Sequence, residues 1–394
     1  MRLDDLFVCR NLIDDEIINN LESLNTKTVS KIIEKAEMLG LFGNLRREYL
    51  IHKLIQEPNL VSMTIEKFGG NIGESLKTAF IHDITLLMPI LKDDDFNYFH
   101  IIKNYKPTKI IDTESQIKLK KQLLEADTAE IIADIFINYY RQYGYGEIAN
   151  YRAFRWKDTL VGIKHFESIQ LEDLVGYSHQ KELLTNNTEA FIEHKPANNV
   201  LLVGARGTGK SSSVKALANE YYNRSLRLLQ ITKSQLVDLP KIMETLRQYA
   251  SKRFIIFLDD LSFEESDQEY KYLKSTIEGG VESRPENVLI YATSNRRHLI
   301  RETWRDRIDG QDELYRDDSV NETISLSDRF GLIIQYYSPS QSEYLEIIRN
   351  MLNKQGINLD DESLRIEGLR WEMTHSGRNG RTAQQFVNYY LGQR

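Results

Sequence analysis

The sequence predicts an α/β domain built on a parallel sheet, with an all-helical region before it and a short helical one after it. Short apolar runs, Val200-Leu201-Leu202-Val203, Leu226 to Ile231, Phe254 to Leu258 and Val288 to Ala292, alternate with amphipathic patterns and end at glycine, polar or acidic residues. Continuous apolar strands separated by helices belong to a parallel sheet covered on both faces. Residues 11 to about 140 instead repeat apolar side chains at helical spacing, and that spacing returns after Pro339.

The elements follow in order. Leu12, Ile13, Ile17 and Leu21 share one helical face, then Val29, Ile32, Ile33 and Ala36 repeat the spacing up to Gly40 and Gly43. Ile81 to Leu91 is interrupted by His82, Asp83 and Thr85, so it reads as a buried helix ending near Pro89. Asp127-Thr128-Ala129-Glu130 supplies a helix cap before Ile131, Ile132, Ile135 and Phe136. Gly69-Gly70, Pro107, Gly144 and Gly146 are breaks. No recognisable chemistry lies in this half. Tyr139, Tyr140, Tyr143, Tyr145, Tyr151 and Trp156 gather aromatic surface near its end, either as interface anchors or as core. Beyond Pro339, Tyr344, Leu345, Ile348 and Met351 begin three helical patterns that suit a lid. The expected domains are therefore 1–165, helical; 166–338, α/β; and 339–394, lid.

Composition narrows the function classes. The chain has 394 residues, of which 41% are apolar, which is ordinary for a core-forming protein. A net charge of −7 argues against a strongly basic nucleic-acid-coating protein. Lys118 to Lys121 reads as a solvated helix face. No apolar run reaches the roughly 20 residues that cross a bilayer, so no membrane association is expected. Met1-Arg2-Leu3-Asp4-Asp5 carries acids where a secretory signal carries positive charge. A single cysteine, Cys9, points to a reducing compartment, and the cytoplasm is the expected location.

Gly204-Ala205-Arg206-Gly207-Thr208-Gly209-Lys210-Ser211 matches G-x-x-x-x-G-K-[ST] completely, after an apolar strand and before helical spacing at Val214, Leu217, Ala218 and Tyr221. Glycines let backbone N–H groups turn toward phosphate oxygens, and the following helix N-terminus favours negative charge. Residues 204–211, with Ser212, are the expected ATP-binding loop; Lys210 reaches the β- and γ-phosphates and Ser211 ligates Mg²⁺. Phe254 to Leu258 ends in Asp259-Asp260, a candidate Walker B element in which Asp259 holds Mg²⁺ and Asp260 polarises the attacking water. Asn295, closing Tyr291-Ala-Thr-Ser-Asn, could orient that water with Asp260. Arg329, in Ser325-Leu-Ser-Asp-Arg-Phe330, could reach the γ-phosphate in a neighbouring subunit or simply pair with Asp328. Gly377-Arg378-Asn379-Gly380-Arg381 places a cation near the lid cleft; Arg381 is the choice and Arg378 the substitute.

With these elements in hand, the sequence resembles the AAA+ superfamily. The runs at 204–217, 258–265, 278–299 and 324–332, together with Tyr151-Arg-Ala-Phe-Arg-Trp156, resemble a bacterial AAA+ family catalogued as a domain of unknown function. The resemblance covers roughly residues 140–394 and implies an AAA+ P-loop core with a C-terminal helical lid. Most active members end the Walker B strand in Asp-Glu, whereas this chain has Asp259-Asp260, one methylene shorter. Initiators and helicase loaders of the superfamily also tend toward Asp-Asp. Two readings follow. One is an ATPase acting as a homo-oligomer on a protein or nucleic-acid client; the other is a slow ATP-gated switch. A P-loop GTPase is disfavoured, because Asn353-Lys354-Gln355-Gly356 lacks the aspartate that would hold guanine.

Overall fold

The computed structural model describes residues 3–21, 24–92, 99–264, 267–278, 284–295, 299–301, 329–375 and 377–393. The chain divides into two units, Met1–Tyr151 with Arg247–Lys252, and Arg152–Leu246 with Arg253–Arg394.

The first unit is helical: α1 (Glu16–Asn19), α2 (Thr26–Leu39), α3 (Leu45–Gln56), α4 (Leu60–Lys67), α5 (Glu74–Lys92), α6 (Glu114–Glu125), α7 (Ala129–Gln142) and α8 (Gly146–Asn150). Side-chain caps start most of them. Asn25, Asn44, Asn59, Thr113 and Thr128 each accept from a backbone N–H of the following turn. The helix expected across Leu12 to Leu21 is broken, because Asp15 caps α1 by accepting from Ile17 and Ile18 N–H, both at 2.9 Å. Helix α5 does not stop at Pro89. It runs on to Lys92, and burial of Ile90 and Leu91 offsets the lost backbone bond. Its Asp83 is fully buried and gathers the N–H groups of Phe7, Val8 and Cys9 at 2.8–2.9 Å. Lys120 leaves the solvated face expected for it and pairs with Glu48 at 2.6 Å and Asp112 at 2.5 Å. Tyr139, Tyr140 and Tyr143 are buried and serve as core.

The second unit opens with β1 (Ala153–Trp156) and β2 (Leu160–Gly162), followed by α9 (Ser178–Ile192), β3 (Val200–Gly204), α10 (Lys210–Glu220), β4 (Leu226–Ile231) and α11 (Leu239–Arg247). Then come β5 (Arg253–Leu258), β6 (Phe263–Glu264), α12 (Glu269–Glu278), β7 (Val288–Ser294), β8 (Ile300–Arg301) and β9 (Leu332–Tyr336). Helices α13 (Gln341–Lys354), α14 (Asp361–Thr374) and α15 (Gly380–Gly392) complete it, with a cluster of their own around Tyr344, Ile348, Leu364 and Phe386. The seven-stranded sheet has the order β2-β1-β4-β5-β7-β3-β9, parallel throughout except for β2. This is the α/β core that the sequence predicts: β7 separates β3, which leads into the glycine-rich loop, from the Asp-Asp strand β5. Residues 153–162 were expected in the helical domain, yet β1 pairs with β4, Ala153 opposite Leu228. Ala153, Phe154 and Trp156 are buried and Arg155 is exposed, so this four-residue strand is too short to interrupt a helical reading of its surroundings. Among the described residues no helix is long and apolar enough to cross a membrane.

Candidate nucleotide-binding site

Strands β3, β5 and β7 end side by side, so their carboxyl-terminal residues meet at one edge. The loop after β3 needs two of its glycines for space. A Cβ on Gly204 (φ +145°) would lie 2.0 Å from the Tyr336 carbonyl oxygen of β9, and one on Gly207 (φ +76°) 2.6 Å from Asn379 Oδ1. The loop glycines thus admit both the sheet neighbour and the lid. The Gly380 N–H donates to the Gly207 carbonyl at 2.8 Å, holding the start of α15 against the loop.

Lys210, in the first turn of α10, is 6% exposed. Its Nζ donates to the Gly204 and Ala205 carbonyls at 2.7 Å and to Asn295 Oδ1 at 3.3 Å. Burial lowers its pKa, and the charges of Asp260 and Asp259 offset this only in part. Ser211 Oγ donates to Asp259 Oδ1 at 2.5 Å, and Thr293 Oγ1 donates to the same oxygen at 2.7 Å. Asp260 sits in the left-handed region (φ +53°), and its N–H donates to Thr293 Oγ1 at 2.9 Å. One Asp260 oxygen accepts from Asn295 Nδ2, and the other lies 3.7 Å from the Arg206 guanidinium.

These groups line a cleft of 1390 Å³. Arg206, Gly207, Thr208, Gly209, Lys210, Ser211, Ser212, Asp259, Asp260, Asn295 and Arg381 all face it. Gly204 and Ala205 contribute through their carbonyls to Lys210. Arg378 instead donates to Glu372 at 2.8 Å and is not among the lining residues, whereas Arg381 is. Arg329 is not among the lining residues, and its alternative partner Asp328 lies outside the described residues. Thr293 was missed in the sequence. It stands on β7 two residues before Asn295, which directly follows the strand, so period-two alternation was the available signal. Also missed was the apolar wall of Leu174, Val175, Ile347, Met351 and Val387, together with the ion pair between Asp173 and Lys354 that joins the short 3₁₀ helix Leu171–Asp173 to α13. Burial raises the Asp173 carboxyl, but its hydrogen bonds from Lys354 and the Gln170 N–H outweigh this and lower it.

The residues suit a nucleoside triphosphate and its metal. Lys210 is a buried cation that donates only to neutral oxygens, and the Ser211 hydroxyl and Asp259 carboxylate are hard oxygen donors of the kind Mg²⁺ takes. The apolar wall offers side chains of the kind a flat base packs against.

No curated protein matches the chain. Among solved structures, it is similar to the Thermotoga maritima RuvB Holliday junction branch migration motor, with 16% identity and a TM-score of 0.39 over 56% of this chain and 63% of that one. A mutant of the same motor gives 17% identity and a TM-score of 0.40 over 56% and 64%. The chain thus spans less than two thirds of the length of these structures. Residues 149–394 match the family described as "Protein of unknown function (DUF815)". The chain belongs to that family, and its phosphate-loop motif and sheet order agree with the AAA+ fold that the sequence resembles.

Proposed function

We propose that this protein hydrolyses ATP as a homo-oligomer and uses the cycle to remodel or load a macromolecular client. The observation that carries the reading is the Asp260–Asn295–Lys210 chain of hydrogen bonds, which ties the candidate water-polarising carboxylate to the phosphate-binding cation. Ser211 and Asp259 would hold Mg²⁺, with Thr293 fixing the Asp259 carboxylate. The metal supplies charge neutralisation on the phosphates. Lys210 and Arg381 bind the phosphates, Asn295 orients the Asp260 carboxylate, and Asp260 takes up the water's proton. Arg329, absent from its own cleft, is assigned to the γ-phosphate of the neighbouring subunit, and the helical unit to the client or to assembly.

The slow-switch reading is favoured by a separate observation. Asp260 is short, and its two oxygens already face Asn295 and Arg206. Steady-state turnover against protein concentration tests both readings. Asp260→Asn should keep Mg·ATP binding and lose turnover, and Asp259→Asn should raise the Mg²⁺ requirement. Arg329→Ala should keep ATP affinity but lose the rise in rate per subunit with concentration, partly restored by mixing with Lys210→Ala protein. Wild-type rate in both aspartate variants would remove the two-carboxylate assignment; a rate per subunit independent of concentration would remove the role of Arg329.

A further inference from the structure

The lid meets the core at the phosphate loop and again at the apolar wall, and the two contacts differ in kind. At the loop the contact is backbone to backbone. The Gly380 N–H donates to the Gly207 carbonyl at 2.8 Å, and Asn379 occupies the space that a Cβ on Gly207 would need. At the wall it is side chain to side chain. Lys354, the last residue of α13, donates to Oδ1 of Asp173, which ends the 3₁₀ helix Leu171–Asp173 of the core. The Lys354 side chain is 54% exposed and that of Asp173 31%. Asp173 is also held from its own side, because its Oδ2 accepts from the Gln170 N–H at 2.8 Å. Both residues line the cleft.

Position along the chain ties the pair to the apolar wall. Asp173 directly precedes Leu174 and Val175. Lys354 follows Ile347 and Met351 at spacings of seven and three, which keep all three on one face of α13. The pair therefore continues the wall on core and lid alike. The three lid helices share a cluster of their own around Tyr344, Ile348, Leu364 and Phe386, so the lid can shift as one body. Of the two contacts, the ion pair is the one that yields. An exposed pair between flexible side chains is screened by water and salt and contributes little. Moving the Gly207–Gly380 contact would instead disturb the backbone of the phosphate loop itself.

We propose that the Asp173–Lys354 ion pair is a latch at the apolar wall that sets how fast nucleotide enters and leaves the cleft. The latch rests on the nucleotide reading of the cleft and adds a regulation to it. Nucleotide passes the pair on entry as on exit, so the closed latch raises the barrier in both directions and leaves the equilibrium nearly unchanged. A side chain that gripped bound nucleotide would slow release alone. Lid opening limits turnover in many enzymes, and in an ATP-gated switch the residence time is itself the signal.

Stopped-flow fluorescence on the full chain, with Mg²⁺ and an ADP labelled on its ribose, tests this. Lys354→Met and Asp173→Asn should each speed association and release by about two- to fivefold, the equivalent of one exposed ion pair, with the dissociation constant held within about twofold. Asp173→Asn keeps an acceptor for the Gln170 N–H. The double variant Asp173→Asn/Lys354→Met should be no faster than either single one, because the second change finds the latch already open. Lys354→Arg, which keeps the charge, should return rates close to wild type. Unchanged rates in Lys354→Met overturn the latch. So does faster release at an unchanged association rate, which would make these side chains nucleotide contacts. Single effects that multiply in the double variant overturn it as well. A labelled ADP that fails to bind wild type defeats the nucleotide reading, and the latch with it.

Discussion

Lys210, in the cleft, and Lys252, in the helical unit, are 6% and 0% exposed, and they are stabilised by opposite means. Lys252 has a carboxylate in contact, so its charge is neutralised where it lies. Lys210 touches two carbonyls and a side-chain amide, all neutral, while Asp259 and Asp260 act on it only from a distance. A buried cation without a contacting counter-ion is a poor structural device but a good anion trap. The contrast separates a lysine left open to an anionic ligand from one whose charge is already neutralised.

The largest effect expected from breaking the contrast is on ligand binding. Lys210→Ala should weaken ATP binding by at least about 100-fold, since hydrogen bonds to charged groups are worth about 1.5–3 kcal/mol each and the phosphates would lose two or more. The melting temperature should hold, because no ion pair is broken; a titration with labelled ATP beside a thermal melt checks both. Lys252→Ala should do the reverse. It strands Glu66 in a buried site and should cost about 3–5 kcal/mol of stability, read by urea unfolding, with the cleft's own contacts untouched.

Smaller effects sharpen the comparison. Thr293→Val removes the donor to Asp259 and the acceptor of the Asp260 N–H. It should raise the Mg²⁺ concentration for half-maximal nucleotide binding by about tenfold, from a loss of about 1–2 kcal/mol. The smallest effect concerns pH. The lowered pKa of Lys210 means that, between that value and the ordinary 10.5, the unfolded chain keeps a proton the folded chain has lost. Stability of the nucleotide-free protein therefore rises with pH in this window, while affinity for nucleotide falls. Lys210→Arg, which keeps its charge, should flatten both dependences; an alkaline loss of affinity persisting in that variant would assign the titration elsewhere.

Legibility differed by element for physical reasons. Strands β3, β4, β5 and β7 were visible because both faces are buried, which makes them continuous apolar runs bounded by polar residues. Strands β1 and β9 were not: one has four residues and the other is an edge strand with exposed Ile333, so neither breaks the surrounding pattern. Pro89 misled, since a buried apolar turn beyond it outweighs one missing donor. The phosphate-loop motif, the two aspartates and Asn295 could be singled out in the sequence because residue type at fixed local spacing marks them, and the fold brings them to one cleft.

By itself, then, the sequence determined the local chemistry: a glycine-rich loop, a lysine and serine at a helix start, and acids at a strand end. Each follows from contacts within a few residues, which spacing encodes. Only the tertiary structure decided which distant residues complete that chemistry. The strand order sets β7 between β3 and β5, so Thr293 reaches Asp259, and Asn295 meets both Lys210 and Asp260. The packing of α13 and α15 against the core puts Arg381 and not Arg378 in the lining of the cleft, and builds an apolar wall from residues far apart in the chain. Those choices depend on sheet order and helix packing, which are set by burial summed over the whole unit and leave no mark at any single position.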